Sequence, residues 1–264
     1  MRPMEAVALS ARSPRSLPTL RADGVSVRFG AFLPVSDVTL HLDVGARQAL
    51  VGPNGAGKTT LINLLTGVLR PTSGTIHIGG QNVTSWSSDR RARLGLARTF
   101  QINTLFPNLT VLESTVLAIA ERRGDGRVWW RSIDSQTALR DEAFQLLSGL
   151  GLDVLANTCV RALSYGKQRL MEITLALAAR PAILLLDEPA AGVPEGEREE
   201  LFEAIDSLPA DISVLFIEHD MDLVFRFARR ISVLVGGTML TEGTPEEVAA
   251  DSRVREVYLG DGDD

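Results

Sequence analysis

Lysine and cysteine are scarce in this 264-residue chain, which has two lysines, Lys58 and Lys167, and a single cysteine, Cys159. One cysteine excludes an internal disulfide, and that fits a reducing compartment. Nothing near Cys159 marks it as a nucleophile or a metal ligand. The sequence contains no apolar run of about 18 residues, so it predicts no transmembrane helix.

The chain also lacks an excess of positive charge. Its net charge of −6 and pI near 5.2 argue against non-specific binding to nucleic acid or to an anionic membrane surface, so we expect no nucleic-acid partner. A local basic patch at Arg90, Arg91, Arg93 and Arg98 is the exception that composition leaves open. Residues 1–18 are rich in Arg, Pro and Ser and predict a disordered extension, with an organelle-targeting peptide as the alternative.

The stretch 50–60 has the spacing of a phosphate-binding loop and reads L-V-G-P-N-G-A-G-K-T-T. Its glycines permit positive φ, and the loop and the following helix turn free N–H groups toward one point, where an anion binds. Lys58 supplies a charge for the β- and γ-phosphates, Thr59 can ligate Mg²⁺, and Thr60 can reach the α-phosphate side. The alternative is a Gly-rich turn before a helix. The predicted nucleotide-binding residues are Gly52, Pro53, Asn54, Gly55, Ala56, Gly57, Lys58, Thr59 and Thr60.

Strands alternate with helices around this loop, which predicts an α/β fold with a mostly parallel core sheet. The apolar runs 183–186 and 213–217 are typical of central parallel strands that are buried on both faces. The segments 20–29 and 35–42 alternate as in antiparallel strands. We expect one nucleotide-binding domain over 19–264, with an inserted helical sub-domain at about 105–170.

Two acidic residues and a histidine follow the predicted central strands. Asp187 stands at the carboxyl end of its strand, where it can hold Mg²⁺, and Glu188 can polarise an attacking water. The alternative for this pair is a helix N-terminal charge in a loop. His219 ends the next strand and is either structural or a hydrogen-bond partner of a γ-phosphate.

The segment 163–168, L-S-Y-G-K-Q, opens a predicted helix shortly before the strand at Ile183. It resembles the signature motif of ATP-binding cassette (ABC) ATPases, a family of P-loop NTPases, and the resemblance covers about residues 20–260. It implies ATP and Mg²⁺ as cofactors, with Glu188 as a catalytic residue. It further implies that Gln101 lies in the family's Q-loop as a catalytic and metal-binding residue, that His219 is its switch histidine, and that Phe29 stacks on adenine.

Within that family, the chain resembles ATP-binding subunits of bacterial importers for branched-chain amino acids or related solutes such as urea. The likeness lies in 98–101 (R-T-F-Q), 105–113 (L-F-P-N-L-T-V-L-E), the L-S-Y-G signature and 242–247 (E-G-T-P-E-E). It implies an ATPase at the cytoplasmic face of the inner (plasma) membrane. Its partners would be a second ABC ATPase subunit, identical or related, transmembrane permease subunits and, indirectly, a solute-binding protein.

The resemblance also implies a head-to-tail ATP sandwich, in which Ser164, Tyr165, Gly166 and Lys167 face the ATP held by the partner's phosphate loop. Three positions depart from the common pattern. Tyr165 and Lys167 replace the usual Gly and Gln, and Pro194 replaces Asp or Asn in a loop that normally carries contacts across the dimer. Lys167 either adds charge near the partner's nucleotide or points to solvent. The competing functions are a soluble ABC-type ATPase that is not coupled to transport, and a P-loop kinase or GTPase-like switch.

Overall fold

The structure is a computed structural model that describes residues 19–99, 105–124 and 137–259. The predicted N-terminal extension (1–18) and Gln101 lie outside the described residues. The β-strands are β1 (Leu20–Phe29), β2 (Phe32–Leu42), β3 (Arg47–Val51), β4 (Ser73–Ile78), β5 (Gln81–Asn82), β6 (Leu96–Arg98), β7 (Ile183–Asp187), β8 (Ser213–Ile217), β9 (Arg230–Val235) and β10 (Thr238–Gly243). The α-helices are α1 (Lys58–Thr66), α2 (Ser88–Arg93), α3 (Val111–Arg123), α4 (Thr137–Ser148), α5 (Tyr165–Ala178), α6 (Glu195–Asp206), α7 (Met221–Phe227), α8 (Pro245–Ala250) and α9 (Ser252–Leu259).

The described strands form two sheets. One is antiparallel, in the order β2-β1-β4-β5. The other has the order β10-β9-β3-β8-β7-β6 and is parallel except for its edge strand β10, which pairs antiparallel with β9. The predicted α/β class, with a mostly parallel core sheet and an antiparallel part, is therefore confirmed.

Burial explains why the apolar runs occupy the middle of the parallel sheet. Every residue of β3 and β8 is buried, as is β7 up to its last residue, Asp187. Helix α1 packs its apolar side into a core that also receives side chains from the antiparallel sheet. The carboxyl ends of β3, β8 and β7 therefore lie side by side at the same end of the sheet, and α1 starts nearby.

The chain divides into two compact units. One contains both sheets together with α1, α2, α7, α8 and α9. The other is helical and contains α3, α4, α5 and α6, from residues 100–180 and 193–208. In the helical unit, Thr110 and Glu113 form a reciprocal capping box at the start of α3.

Two of the four arginines at 90–98, Arg91 and Arg98, are withdrawn from the basic patch that composition left open. Arg91 is fully buried and donates to the carbonyl oxygens of Leu64 and Leu65, each at 2.7 Å. Burial lowers its pKa to about 10. Arg90 stacks on the ring of Trp86, and Arg98 is paired with an acidic residue of the site described next.

Candidate functional site

The predicted phosphate loop connects β3 to α1 in the sheet unit and borders a cleft of about 270 Å³. The cleft combines loop residues with one carboxylate, one imidazole and one aromatic ring. Its lining is Phe32, Pro34, Asn54, Gly55, Ala56, Gly57, Lys58, Thr59, Thr60, Glu188 and His219. The structure thus brings together most of the predicted nucleotide-binding residues with two of the predicted catalytic ones.

Two glycines let the loop approach neighbouring backbone more closely than any side chain would allow. Gly52, Gly55 and Gly57 all have positive φ, as predicted. A Cβ on Gly57 would lie 2.2 Å from the carbonyl oxygen of Pro34, and one on Gly52 would lie 2.0 Å from that of Leu234. Gly57 is also the N-cap of α1, so the free N–H groups of the first turn open onto the cleft.

The side chain of Lys58 curls back over the loop. Its Nζ donates to the carbonyl oxygens of Gly52 at 2.6 Å and Pro53 at 2.9 Å. Burial lowers its pKa, and the charges of Glu188 and Asp187 oppose that shift. The ammonium group is thus held by backbone dipoles beside the nest, where a phosphate would stabilise its charge.

Asp187 is fixed by a cation from the edge strand. Arg98 on β6 donates to Oδ2 of Asp187 at 2.6 Å and to the side-chain oxygen of Asn63 at 2.7 Å. Both partners of the ion pair are largely buried. The contact engages one of the two carboxylate oxygens of Asp187. Among the described residues there is no cluster of three His, Cys, Asp or Glu side chains that could hold a metal ion.

Glu188 and His219 meet because two parallel strands end in register. Asp187 pairs with Ile217, so the residues that follow β7 and β8 leave the sheet side by side. Oε1 of Glu188 lies 2.9 Å from Nε2 of His219, and both side chains are about half exposed to the cleft. Glu188 has φ of 50°, a left-handed conformation that is uncommon outside glycine and that clusters at functional sites.

No sequence pattern singled out Glu218, the buried residue that holds this pair in place. Its Oε1 accepts from the N–H of Ala190 at 2.7 Å, and its Oε2 accepts from the N–H of His219 at 3.2 Å. Burial raises its pKa, although these two hydrogen bonds act in the opposite direction. One carboxylate therefore ties the segment after Glu188 to the backbone of His219.

Two phenylalanines flank the β1–β2 turn, and one of them borders the cleft. Phe29 and Phe32 are register partners in this hairpin and are about half and two-thirds exposed. Phe32 contributes to the lining, whereas Phe29, the predicted adenine contact, lies outside it. No sequence pattern singled out Phe32, although a phenylalanine beside the turn after the strand at 20–29 was the available signal.

The predicted signature residues lie at the start of α5 in the helical unit. Ser164 is the N-cap of that helix, and its hydroxyl donates to Oε2 of Glu197 at 2.9 Å. The N–H of Gly166 donates to the same oxygen at 2.9 Å. Lys167, whose surroundings the sequence left open, contacts Oε1 of Glu200 at 2.6 Å. Tyr165 is partly exposed, and its ring lies against the guanidinium of Arg169.

Comparison with known proteins decides the family. A family model described as "ABC transporter" matches residues 35–191. The chain belongs to the ABC transporter family of ATP-binding domains. A second model, described as "Branched-chain amino acid ATP-binding cassette transporter", matches residues 238–264 of this ABC ATPase.

Relatives of this ABC ATPase match it over nearly their whole length. The high-affinity branched-chain amino acid transport ATP-binding protein LivG of Salmonella typhimurium is 39% identical over 93% of this chain and 99% of its own. BraF of Pseudomonas aeruginosa, which has the same description, is 36% identical with the same coverage. The crystal structure of the ADP conformation of MJ1267, an ATP-binding cassette of an ABC transporter, has a TM-score of 0.81 and 30% identity, covering 93% of this chain and 100% of that one.

These findings confirm the predicted family, fold and enzyme class: the chain is an ABC ATPase, and a nucleotide is its ligand. In the described part of the chain no helix is both long and apolar enough to cross a bilayer. The roles of individual site residues stay predictions at this point, with Gln101 outside the described residues.

Proposed function

We propose that this ABC ATPase hydrolyses ATP to drive a membrane importer for branched-chain amino acids or a related small polar solute. Two observations support this cargo class. The relatives that match over 99% of their own length are named as branched-chain amino acid transport proteins. The C-terminal region, 238–264, matches the model described for that transporter group rather than a general cassette model.

The observation that carries the proposed hydrolysis is the Glu188–His219 contact beside the phosphate loop. Glu188 accepts a proton from the attacking water and orients it toward the γ-phosphate. His219 donates its N–H either to the Glu188 carboxylate or to the γ-phosphate, because a neutral imidazole has one N–H. Lys58 and the loop N–H groups bind the β- and γ-phosphates and stabilise the charge that develops on them.

The adenine end of the cleft is assigned to the aromatic pair. Phe32 borders the cleft, and Phe29 is its neighbour across the hairpin. A base has a π-face that stacks on either ring. We assign Phe32 to the direct contact and Phe29 to a supporting position or to the outer edge of the base.

The side chains at the loop suit Mg²⁺, which prefers oxygen ligands and commonly takes one or two protein ligands together with phosphates and water. Thr59, which carries a hydroxyl, lines the cleft, and Asp187 supplies a carboxylate at the end of β7. Gln101 is assigned as a third metal contact by resemblance to the family's Q-loop. When bound, the ion neutralises charge on the β- and γ-phosphates.

The partner is proposed to be a second ABC ATPase subunit in a head-to-tail sandwich of two ATP molecules. Ser164 and the N–H of Gly166 would contact the γ-phosphate held by the partner's loop, with Tyr165 and Lys167 flanking it. The N-terminus of a 14-residue helix provides the free N–H groups and dipole that an anion needs.

Permease subunits would receive the chain at the cytoplasmic face of the plasma membrane, and a solute-binding protein would deliver the cargo. We further propose that 19–264 is the ATP-binding domain, that 105–170 forms the helical sub-domain, and that 1–18 is an appendage.

Reconstitution tests the transport function. ATP turnover is measured for the purified chain, and then with its neighbouring-gene ATPase and permease subunits in lipid vesicles. Turnover that rises on assembly, and again with leucine and its binding protein, would support the importer. Full turnover of the chain alone that ignores permease subunits and every branched-chain amino acid would instead indicate a soluble ABC ATPase.

A further inference from the structure

The carboxylate of Glu197 lies at the N-terminus of α5, where an anion is favoured. A single oxygen, Oε2, accepts both from the Ser164 hydroxyl and from the Gly166 N–H, each at 2.9 Å. One turn further along α6, Glu200 engages Lys167 at 2.6 Å. Helix α6 thus presents two carboxylates to three residues of the signature motif, Ser164, Gly166 and Lys167, within the helical unit itself.

These two donors are the groups that the proposed ATP sandwich assigns to the partner's γ-phosphate. A carboxylate and a phosphate both carry negative charge and both present acceptor oxygens. The Gly166 N–H has one hydrogen to donate, and two anions at one helix N-terminus repel each other. Glu197 and a γ-phosphate therefore compete for the same place.

Gly166 shows how closely the carboxylate approaches. A Cβ at this position would lie 2.3 Å from Oε2 of Glu197 and 3.0 Å from its Cβ. The φ of Gly166 is not in the left-handed region, so its backbone conformation does not require glycine. In this structure the contact with Glu197 is what leaves no room for a side chain.

We propose that Glu197 is a positioning residue that holds the signature donors in the separate subunit and must leave them before the partner's γ-phosphate can bind. This inference rests on the proposed ATP sandwich. Glu197 orders Ser164 and Gly166, and it also opposes closure, since its charged hydrogen bonds are broken when the two subunits meet. It therefore sets the subunit concentration at which ATP drives association.

The test measures dimerisation with ATP that is not turned over. Glu188→Gln serves as the parent because it is expected to bind ATP without hydrolysing it. Glu197→Gln keeps the size and one acceptor oxygen but removes the charge. Glu195→Gln, an exposed change on the same helix, is the matched control for net charge. Sedimentation velocity with Mg²⁺ and ATP gives the monomer–dimer Kd of the parent and of both double variants, and a fluorescent ATP analogue gives nucleotide affinity.

We expect Glu197→Gln to lower the dimer Kd about tenfold, or ~1.4 kcal/mol. Glu195→Gln should leave the dimer Kd unchanged, and neither substitution should change nucleotide affinity. If Glu197 only stabilised the N-terminus of α5, Glu197→Gln would raise the dimer Kd instead of lowering it. A raised or unchanged dimer Kd, or no dimer in any variant, therefore overturns the inference. If the parent binds ATP, such a result leaves the nucleotide site standing. A parent that binds no ATP would overturn the proposed function together with this inference.

Discussion

Oε1 of Glu188 lies 2.9 Å from Nε2 of His219, at the ends of two adjacent parallel strands. The two side chains belong to segments 31 positions apart in the chain. The pairing of Asp187 with Ile217 fixes where each segment leaves the sheet. The carboxylate of Glu218 accepts hydrogen bonds from the backbone N–H groups of Ala190 and His219, one in each segment. The catalytic pair is therefore positioned by strand register and by a buried carboxylate.

Replacing Glu188 tests its role as the base. Glu188→Gln is expected to retain ATP binding and to lower kcat by about 10²–10⁴-fold, because the amide cannot accept the water's proton. Steady-state ATPase assays give kcat, and equilibrium binding gives the nucleotide Kd. Unchanged turnover would remove Glu188 from catalysis. Loss of binding would instead mean that the substitution disturbed the loop.

The effect of His219 should depend on Glu188. His219→Ala is expected to lower kcat, and adding it to Glu188→Gln should cost little more, because residues that act as a unit are not additive. The ATPase rates of the two single variants and the double variant form a cycle. Additive losses would indicate that the 2.9 Å contact carries no catalytic coupling.

The two phenylalanines should differ in their effect on ATP affinity. Phe32→Ala is expected to weaken ATP binding by about 1–3 kcal/mol, the contribution of a stacked base, and Phe29→Ala by less, because Phe32 lines the cleft. Val44→Ala, an exposed apolar change outside the lining, is the control. Isothermal titration with ATP and with inorganic triphosphate separates base from phosphate contacts. Equal losses with both ligands would contradict stacking.

Glu218 makes a prediction about pH. Its pKa is raised above 4.5 by burial, so the ionised carboxylate reduces folded-state stability above the raised pKa, and protonation removes that cost as the pH falls toward 4.5. Glu218→Gln is neutral at every pH. The free energy of unfolding of the variant minus that of the wild type should therefore become more positive as the pH rises. Urea unfolding of both proteins across this range gives the difference. A constant difference would show that the pKa of Glu218 is not raised in the folded protein.

Glu142 should be a centre of stability in the helical unit. Its carboxylate on α4 receives Arg122 and Arg123 from α3 and Arg180 from just beyond α5. Burial raises its pKa, but the hydrogen bonds from these arginines outweigh that effect and the net shift is downward. Glu142→Gln is expected to cost about 1–3 kcal/mol, as for hydrogen bonds to a charged group. Chemical denaturation measures it, with the exposed Glu121→Gln on α3 as the control, and equal stabilities of the two variants would contradict the prediction.

Sequence patterns predicted the fold well where the structure of a segment is determined by its own residues. The bounds of β1 match those predicted from alternation, α5 begins within the segment 163–168 as predicted, and the glycine spacing of the loop predicted the positive φ values. Short elements such as β6, α2 and α7 were missed, because three to seven residues carry too little periodicity.

The missed site residues depend on contacts that sequence spacing does not encode. Glu218 looks like any charged residue after a strand, and only its burial and two backbone partners show its role. Glu197 lies on an amphipathic helix with many acidic residues, so nothing singled out the one that meets α5. Arg91 was grouped with its neighbouring arginines as a possible basic patch, and its full burial is unusual for this residue type.

The order of strands in the parallel sheet bears on how this chain is made. β3, which leads into the phosphate loop, is flanked by β8 and β9, and Gln48 pairs with Leu215 on one side and Arg230 on the other. A nascent chain that has just exposed its glycine loop therefore lacks both neighbours of the strand that supports it. Such distant pairings fold slowly. Nucleotide can bind only after most of the chain has left the ribosome. ATP therefore cannot stabilise the early, partly synthesised chain, and local hairpins and helices must do so.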